Sequence, residues 1–433
     1  MLPGVAEPVV YPGSHCQGKA GGCCIVIPDY LFSPRIAVVL QERLCMYAVV
    51  PYFSETVFMR IAHFMYDHRG NPWLGGGGAV REWEINRRLV ERGHEIHVYC
   101  GAVPGQKMTD WVEDGVHYHS CGVGVQYAVS RLSFNCTARG RWNILQKQTP
   151  FDLIVEDTSP FTMLPAVRRE HVPAVAIIQN FMGKRLIAKM GPIGRWFAAH
   201  ERSLQKRYRH YITVSRFLSD AVKQQQPDAE VTVVYNGIDD VAFIPRTTDK
   251  VPGQLLFLGR IDRYHKGLDL LLTAFEQLSK DDPDLSLVIA GGGRDEAWLR
   301  NEIAVRNNPR IRWTGRLGPE RFDLLAQSEL LVMPSRFEGW GITAVEAAAV
   351  GTPVVGTLVD GLMEAVDNGV TGELVAPDAD ALVRCISGLM RDPSRRARMG
   401  AAGKLRAANF RWDILSKLQD EAYVNCARMS AAP

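Results

Sequence analysis

Long apolar runs are missing from this sequence of 433 residues. The most hydrophobic stretch, Ile36 to Tyr52, is short for a bilayer span and carries Gln41, Glu42 and Arg43 at its centre, where charge is costly in lipid. It serves no better as a secretory signal, because Asp29 and Pro34 precede it and the charged, apolar, small-residue order is lacking. An excess of one charge is also missing. The formal net charge of +3 is too small to imply a nucleic-acid partner, and neither a helix-turn-helix signal nor an aromatic ribonucleoprotein pattern is found. Cysteine is sparse: nine residues, four of them in the first 45, form neither a CxxC pair nor a zinc spacing. That excludes a disulfide framework and leaves a reduced, cytoplasmic setting as the expectation. The glycine fingerprint GxGxxG with its downstream ribose acid is absent too, which argues against a dinucleotide oxidoreductase.

What is present is a globular composition, 46% hydrophobic and 22% charged, in a chain long enough for two domains. Residues 1–58 differ from the rest, with scattered glycine, cysteine and proline and no sustained periodicity. They are read as a weakly ordered extension, or as preceding a native start at or near Met59. From Met59 on, apolar runs alternate with helix-length stretches. Met59 to Phe64, Glu95 to Cys100, Asp152 to Val155, Ala174 to Ile178, His210 to Val214 and Val231 to Tyr235 read as strands of one parallel α/β domain, 59–240. Its first helix follows Gly75-Gly76-Gly77-Gly78, with Val80, Trp83, Leu89 and Val90 expected to share a face. The glycine run is either a flexible loop or a place where backbone must approach something closely. A polar, proline-containing linker, 241–253, leads to a second series of strands beginning at Leu255-Leu256-Phe257-Leu258. The expected class is therefore α/β with two Rossmann-like domains, the second spanning 254–410, and 411–433 forming a C-terminal helix and tail.

The most informative stretch is Phe337-Glu338-Gly339-Trp340-Gly341-Ile342-Thr343-Ala344-Val345-Glu346. It follows a buried strand ending at Met333 and reads as a loop feeding a helix that stops at Gly351-Thr352-Pro353. The free helix N-terminus offers unpaired N–H groups and a partial positive charge to an anion. Glu346 lies in an apolar helix, so its carboxylate needs a partner, and two are open: a core salt bridge, or ligand hydroxyls. Earlier in the same domain, Gly259-Arg260-Ile261-Asp262-Arg263-Tyr264-His265-Lys266-Gly267 opens a strand-to-helix turn. A guanidinium and an ammonium at that turn suit a diphosphate.

Gly259-Arg260 with Lys266-Gly267, Ala290-Gly291-Gly292-Gly293, Gly315-Arg316-Leu317 and Glu338 with Glu346, in this order, resemble the retaining family-4 glycosyltransferases of the GT-B fold. Gly77-Gly78, Val214-Ser215 and Asn236-Gly237-Ile238-Asp239 extend the resemblance, which runs from about Met59 to the C-terminus. It implies two Rossmann-like domains facing across a cleft, with the C-terminal helix returning toward the N-terminal domain. It also implies a nucleotide diphosphate sugar as donor, and a carbohydrate, lipid-linked or small-molecule acceptor against the N-terminal domain. Position by position, Arg260 and Lys266 would hold the diphosphate and Glu338 would meet the donor sugar or phosphate region. Gly339, Trp340, Gly341 and Ile342 would offer backbone N–H groups, and Glu346 would take the ribose hydroxyls. Arg316-Leu317 would lie along the base, and Gly77 and Gly78 would close from across the cleft. No cofactor or metal is required by these motifs. Arg260, Lys266 and Glu338 are thus the catalytic candidates.

One departure stands out. Many members carry a histidine after the strand Ala174 to Ile178, where this chain has Gln179-Asn180, and an amide cannot act as a base near neutral pH. Glu156-Asp157 could orient the acceptor or could be solvated strand-end acids. The amide also leaves room for a catalytically silent nucleotide-sugar-binding protein as the alternative function. Residues 181–211 hold eight Lys and Arg against the single acid Glu201, interleaved with Phe181, Trp196 and Phe197. Such a segment is either an ordinary basic face or an interfacial one drawn to anionic lipid. The second reading fits a peripheral enzyme of polysaccharide or glycolipid synthesis on the inner face of the cell membrane.

Overall fold

The computed structural model describes residues 57–71, 77–102, 109–162, 172–181, 183, 186–187 and 190–431. The sequence readings for 1–56, for Gly75 and Gly76, and for part of 181–211 lie outside them. The first half runs β1 (Arg60–Phe64), α1 (Gly77–Glu91), β2 (Glu95–Gly101), β3 (Asp110–Glu113), β4 (Val116–Cys121), α2 (Tyr127–Gln148), β5 (Leu153–Asp157), β6 (Ala174–Ile178), α3 (Pro192–Gln205), β7 (His210–Thr213), α4 (Arg216–Gln225) and β8 (Glu230–Val233). The second runs β9 (Gln254–Leu258), α5 (Leu268–Asp281), β10 (Ser286–Ala290), α6 (Glu296–Arg306), β11 (Ile311–Gly315), α7 (Arg321–Gln327), β12 (Leu330–Met333), α8 (Ile342–Val350), β13 (Val354–Thr357), α9 (Asp360–Ala365), β14 (Gly372–Val375), α10 (Ala379–Met390), α11 (Pro393–Ala407) and α12 (Trp412–Ala431).

The strands form two sheets, ordered β3-β4-β2-β1-β5-β6-β7-β8 and β11-β10-β9-β12-β13-β14. Every pairing is parallel except β3 with β4. Parallel strands are covered on both faces, which is why Leu153, Ile154 and Val155 are all buried rather than alternating. In each sheet the order reverses once beside the first strand. β1 lies between β2 and β5, and β9 between β10 and β12. Such switch points open a crevice at the carboxyl ends of the strands, which is where this architecture binds ligands.

The β3–β4 hairpin was not read from the sequence, although its signal was there. Asp114-Gly115 is the turn pair of a two-residue hairpin, and both residues have positive φ, 51° and 77°. The face expected for α1 is also corrected. Val80 is exposed, while Ala79, Arg81, Glu82, Ile85, Asn86 and Leu89 are buried. The cause is a buried polar network rather than an apolar stripe. Arg81 donates to Glu82, to the Val234 carbonyl (3.1 Å) and to Gln419 (2.8 Å), and Asn86 meets His63.

The chain crosses between the sheets twice, and the crossings pack together. Ile238 N–H donates to the Phe410 carbonyl at 3.1 Å, and a Cβ on Gly237 would fall 2.4 Å from the Trp412 ring. From there α12 returns over the first sheet, burying Trp412, Leu415, Tyr423 and Cys426 in one cluster with Val155, Val175, Ile177 and Ile212. The linker stretch is not all free chain. Asp240–Phe243 forms a short 3-10 turn that buries Ala242.

Candidate functional site

Two loops leave the switch point of the second sheet, one after β9 and one after β12, and they are locked together by backbone. Gly267 opens α5 at φ 63°, and a Cβ there would lie 1.9 Å from the Pro334 carbonyl oxygen, so only glycine permits the approach. Arg336 N–H donates to the His265 carbonyl (2.9 Å), and the Arg336 guanidinium grips both oxygens of Asp269 at 2.8 Å each. Asp262 accepts from the N–H and ring of His265 and from Arg294, which hold its carboxyl below the usual range against the opposing cost of burial. This scaffold brings Lys266 to Glu338, with Nζ donating to Oε2 at 2.6 Å and Ser335 Oγ also within 3.3 Å of that oxygen. Arg260 is exposed and makes no side-chain hydrogen bond or ion pair among the described residues.

Beyond Glu338 the chain turns through Gly341, at φ 74°, into α8. The N–H groups of Gly339, Trp340 and Gly341 donate to no acceptor among the described residues, so the helix start is open to an anion. Trp340 enters this loop through its backbone only. Its ring is buried against Tyr235 and Phe410 at the chain crossings.

Glu346 has a protein partner that the sequence reading did not name. Arg321, in the first turn of α7, donates to Oε1 through Nε (3.1 Å) and Nη2 (2.8 Å). Burial raises the Glu346 carboxyl and Arg321 pulls it back toward ionisation. The core salt bridge is therefore formed, and Oε2 accepts no hydrogen bond among the described residues, which leaves one oxygen for a hydroxyl. Arg316 is exposed, with its Nε only 2.5 Å from where a Cβ on Gly292 would stand. Leu317 is half-buried against the second domain's core.

The first sheet's switch point faces this assembly. Gly77 starts α1, and a Cβ on it would meet Ile342 Cδ1 at 3.7 Å. At the ends of β5 and β6, Gln179 Nε2 donates to both oxygens of Asp157, at 3.2 and 3.0 Å. Burial pushes the Asp157 carboxyl well above its ordinary value, and Glu82 adds to the shift. Glu156 is not a solvated strand-end acid. It is buried and accepts from the Tyr208 hydroxyl. Asn180 is exposed. Both acids border a cleft lined with Tyr66, Arg131, Phe134, Trp142 and Phe161.

Family models match nearly all of this two-sheet body: one described as glycosyltransferase family 4 over residues 75–241, and one as glycosyl transferases group 1 over residues 243–406. The chain belongs to the family-4, group 1 glycosyltransferases. The glycogen synthase of Mycobacterium tuberculosis is 32% identical over 281 residues, which make up 63% of this chain and 66% of that protein. The match thus spans just under two thirds of that relative. The phosphatidyl-myo-inositol mannosyltransferase of Mycolicibacterium smegmatis is 26% identical over 355 residues, 79% of this chain and 88% of that one. Among solved structures, sucrose-phosphate synthase from Thermosynechococcus elongatus superposes with a TM-score of 0.70 at 18% identity, covering 86% of this chain and 100% of that one. That likeness shows the fold, which is GT-B.

Two further residues escaped sequence reading. Arg321 offers no periodic signal; only the unpaired Glu346 pointed to a missing cation. Glu364 of α9 accepts from Arg216 N–H (2.8 Å) and Phe217 N–H (3.0 Å), capping α4 of the other domain. Among the described residues, no group of three His, Cys, Asp or Glu is placed to hold a metal ion, and no helix is long and apolar enough to cross a membrane.

Proposed function

We propose that this protein transfers a hexosyl-type group from a nucleotide diphosphate sugar to a carbohydrate, lipid-linked or small-molecule acceptor, with retention at the anomeric carbon. The observation that carries the reading is the Lys266–Glu338 contact at the sheet's switch point, beside the open N-terminus of α8. The ammonium of Lys266 and the free guanidinium of Arg260 hold the diphosphate and stabilise the charge that grows as it departs. Glu338 orients the sugar, the N–H groups from Gly339 to Ile342 bind the phosphate end, and the unused oxygen of Glu346 takes a ribose hydroxyl. Arg316 and Leu317 flank the base. Gly77 and Gly78 close from the opposite domain, and Asp157, Gln179 and Asn180 border the acceptor.

Transfer proceeds on one face of the sugar. The bond from the anomeric carbon to the phosphate oxygen breaks as the acceptor oxygen bonds on the same side, and the departing phosphate takes the acceptor proton. Glu338 is already engaged by Lys266 and Ser335, which favours this scheme over a carboxylate nucleophile. A glycosyl adduct isolated on Glu338 would overturn it.

A membrane-presented acceptor fits the exposed Ile193 and Trp196 of α3, beside Arg195 and Arg202, and a peripheral position on the inner face of the cell membrane. The relative named for phosphatidyl-myo-inositol supports a lipid acceptor. Flotation with anionic vesicles at low salt is expected to carry the protein upward, and no binding would remove this element.

The donor reading is tested with a panel of UDP, GDP, ADP and TDP sugars. One or more should raise the melting temperature and release free nucleotide slowly without acceptor. Stabilisation without any release, with acceptors supplied, would make the protein a silent binder. No stabilisation by any donor would defeat the assignment.

A further inference from the structure

Gly78 raises a question that helix geometry leaves open. It lies within the first turn of α1 with a φ outside the left-handed region, so backbone conformation does not require glycine. Space does. A Cβ at this position would stand 2.1 Å from Gln179 Oε1, 2.8 Å from Cδ and 3.0 Å from Nε2. The amide is the end of a side chain and could swing aside if it were loose. It is not loose, because Nε2 donates to both oxygens of Asp157. With Nε2 placed against Asp157, the carbonyl oxygen faces Gly78. An oxygen with partial negative charge suits the positive start of a helix. One residue earlier, Gly77 faces Ile342 of the donor loop across the cleft.

We propose that Gln179 is a positioning residue: clamped by Asp157, it seats its amide oxygen against Gly78 and sets how closely the start of α1 approaches Ile342 and the donor loop. Residues 78 and 179 are then a matched pair, in which glycine at one position accommodates the long amide at the other. The amide does not stand in for a histidine base. It holds the glycine turn that closes on the donor, a consequence that rests on the donor reading above.

A double-mutant cycle in the full chain tests the pair without any ligand. Helix propensity alone makes Gly78→Ala stabilising, because alanine is the better helix former. Here Gly78→Ala should lower the denaturation midpoint. In a Gln179→Ser background, where the colliding amide is gone, the same change should raise it. The coupling should amount to a factor of about ten in the folding equilibrium. It should persist with Asp157→Asn, whose side-chain oxygen still accepts from Gln179, and vanish with Asp157→Ala. Additive effects, or an unchanged coupling in Asp157→Ala, would overturn the clamp. The positioning role is read separately. For whichever of UDP-glucose or GDP-mannose stabilises the wild type, Gly78→Ala should weaken apparent affinity about tenfold, and adding Gln179→Ser should recover part of that loss. Unchanged affinity in Gly78→Ala would end the positioning claim. Silence of the wild type toward both sugars would count against the donor reading, while the stability cycle still decides the pair.

Discussion

Glu346 and Asp157 show how the same residue type acquires different work from its surroundings. Both carboxyls are raised by burial, but Glu346 is offset by Arg321, whereas Asp157 has only an amide donor and the more distant Arg81 against Glu82 and Asp67. Replacing Glu346 with alanine leaves Arg321 with its longer contact to Asp239 (3.6 Å) and the Gly318 carbonyl. The expected cost is about 2 kcal/mol in chemical denaturation, together with a weaker response to nucleotide sugars. For Asp157 the sign follows from linkage. The folded state holds this proton more tightly than the unfolded chain, so its stabilisation is complete below about pH 4 and is lost as pH rises toward the folded value. Asp157→Asn should therefore make stability fall less steeply between about pH 5 and 8; an unchanged slope would mean the carboxyl is ionised in the fold. Lys266→Ala removes the cation paired with Glu338, and apparent affinity for a stabilising nucleotide sugar should drop at least about tenfold.

At the scale of elements, the loops after β9 and β12 work because backbone touches backbone. Gly267 and Gly341 both have positive φ, but their neighbours differ. A Cβ on Gly267 meets the Pro334 carbonyl, whereas one on Gly341 meets Leu362 Cδ2 at 2.7 Å, the end of a flexible side chain. Each substitution to alanine costs about 1–2 kcal/mol for the left-handed conformation. Gly267→Ala must additionally push two loops apart, so its melting temperature should fall clearly further than that of Gly341→Ala. Equal losses would mean that backbone conformation, not the close approach, is what glycine serves at position 267.

Across the whole molecule, the two sheets are tied by the paired crossings, by α12 and by the Glu364 cap on α4. The cap is partly exposed and so modest. Glu364→Ala should cost about 1 kcal/mol and speed hydrogen exchange at the Arg216 and Phe217 amides, with less effect at high salt. Truncation after Arg411 is far more severe. It strips Trp412, Leu415 and Tyr423 from the first domain's core, each worth about 1.5–3 kcal/mol, a sum comparable with the whole stability of an ordinary domain. The shortened chain should lose its cooperative melt and become protease-sensitive.

The sequence alone determined the alternation of strands and helices, the α/β class and the glycine-bearing loops after β9 and β12, because buried parallel strands and glycine-bearing turns write local, short-range patterns. The family resemblance grouped Arg260, Lys266, Glu338 and Glu346, and the residues themselves left Glu346 between a salt bridge and a ligand. Only the tertiary structure supplied Arg321, which is 25 positions away. The same holds for α1, whose buried face is polar because His63, Val234 and Gln419 come from three other parts of the chain. Gln179 is the sharpest instance. In the sequence it is a missing base, and in the fold it is an amide oriented by Asp157 and fitted against Gly78. Those partners lie 22 and 101 positions distant, a separation that no local pattern records.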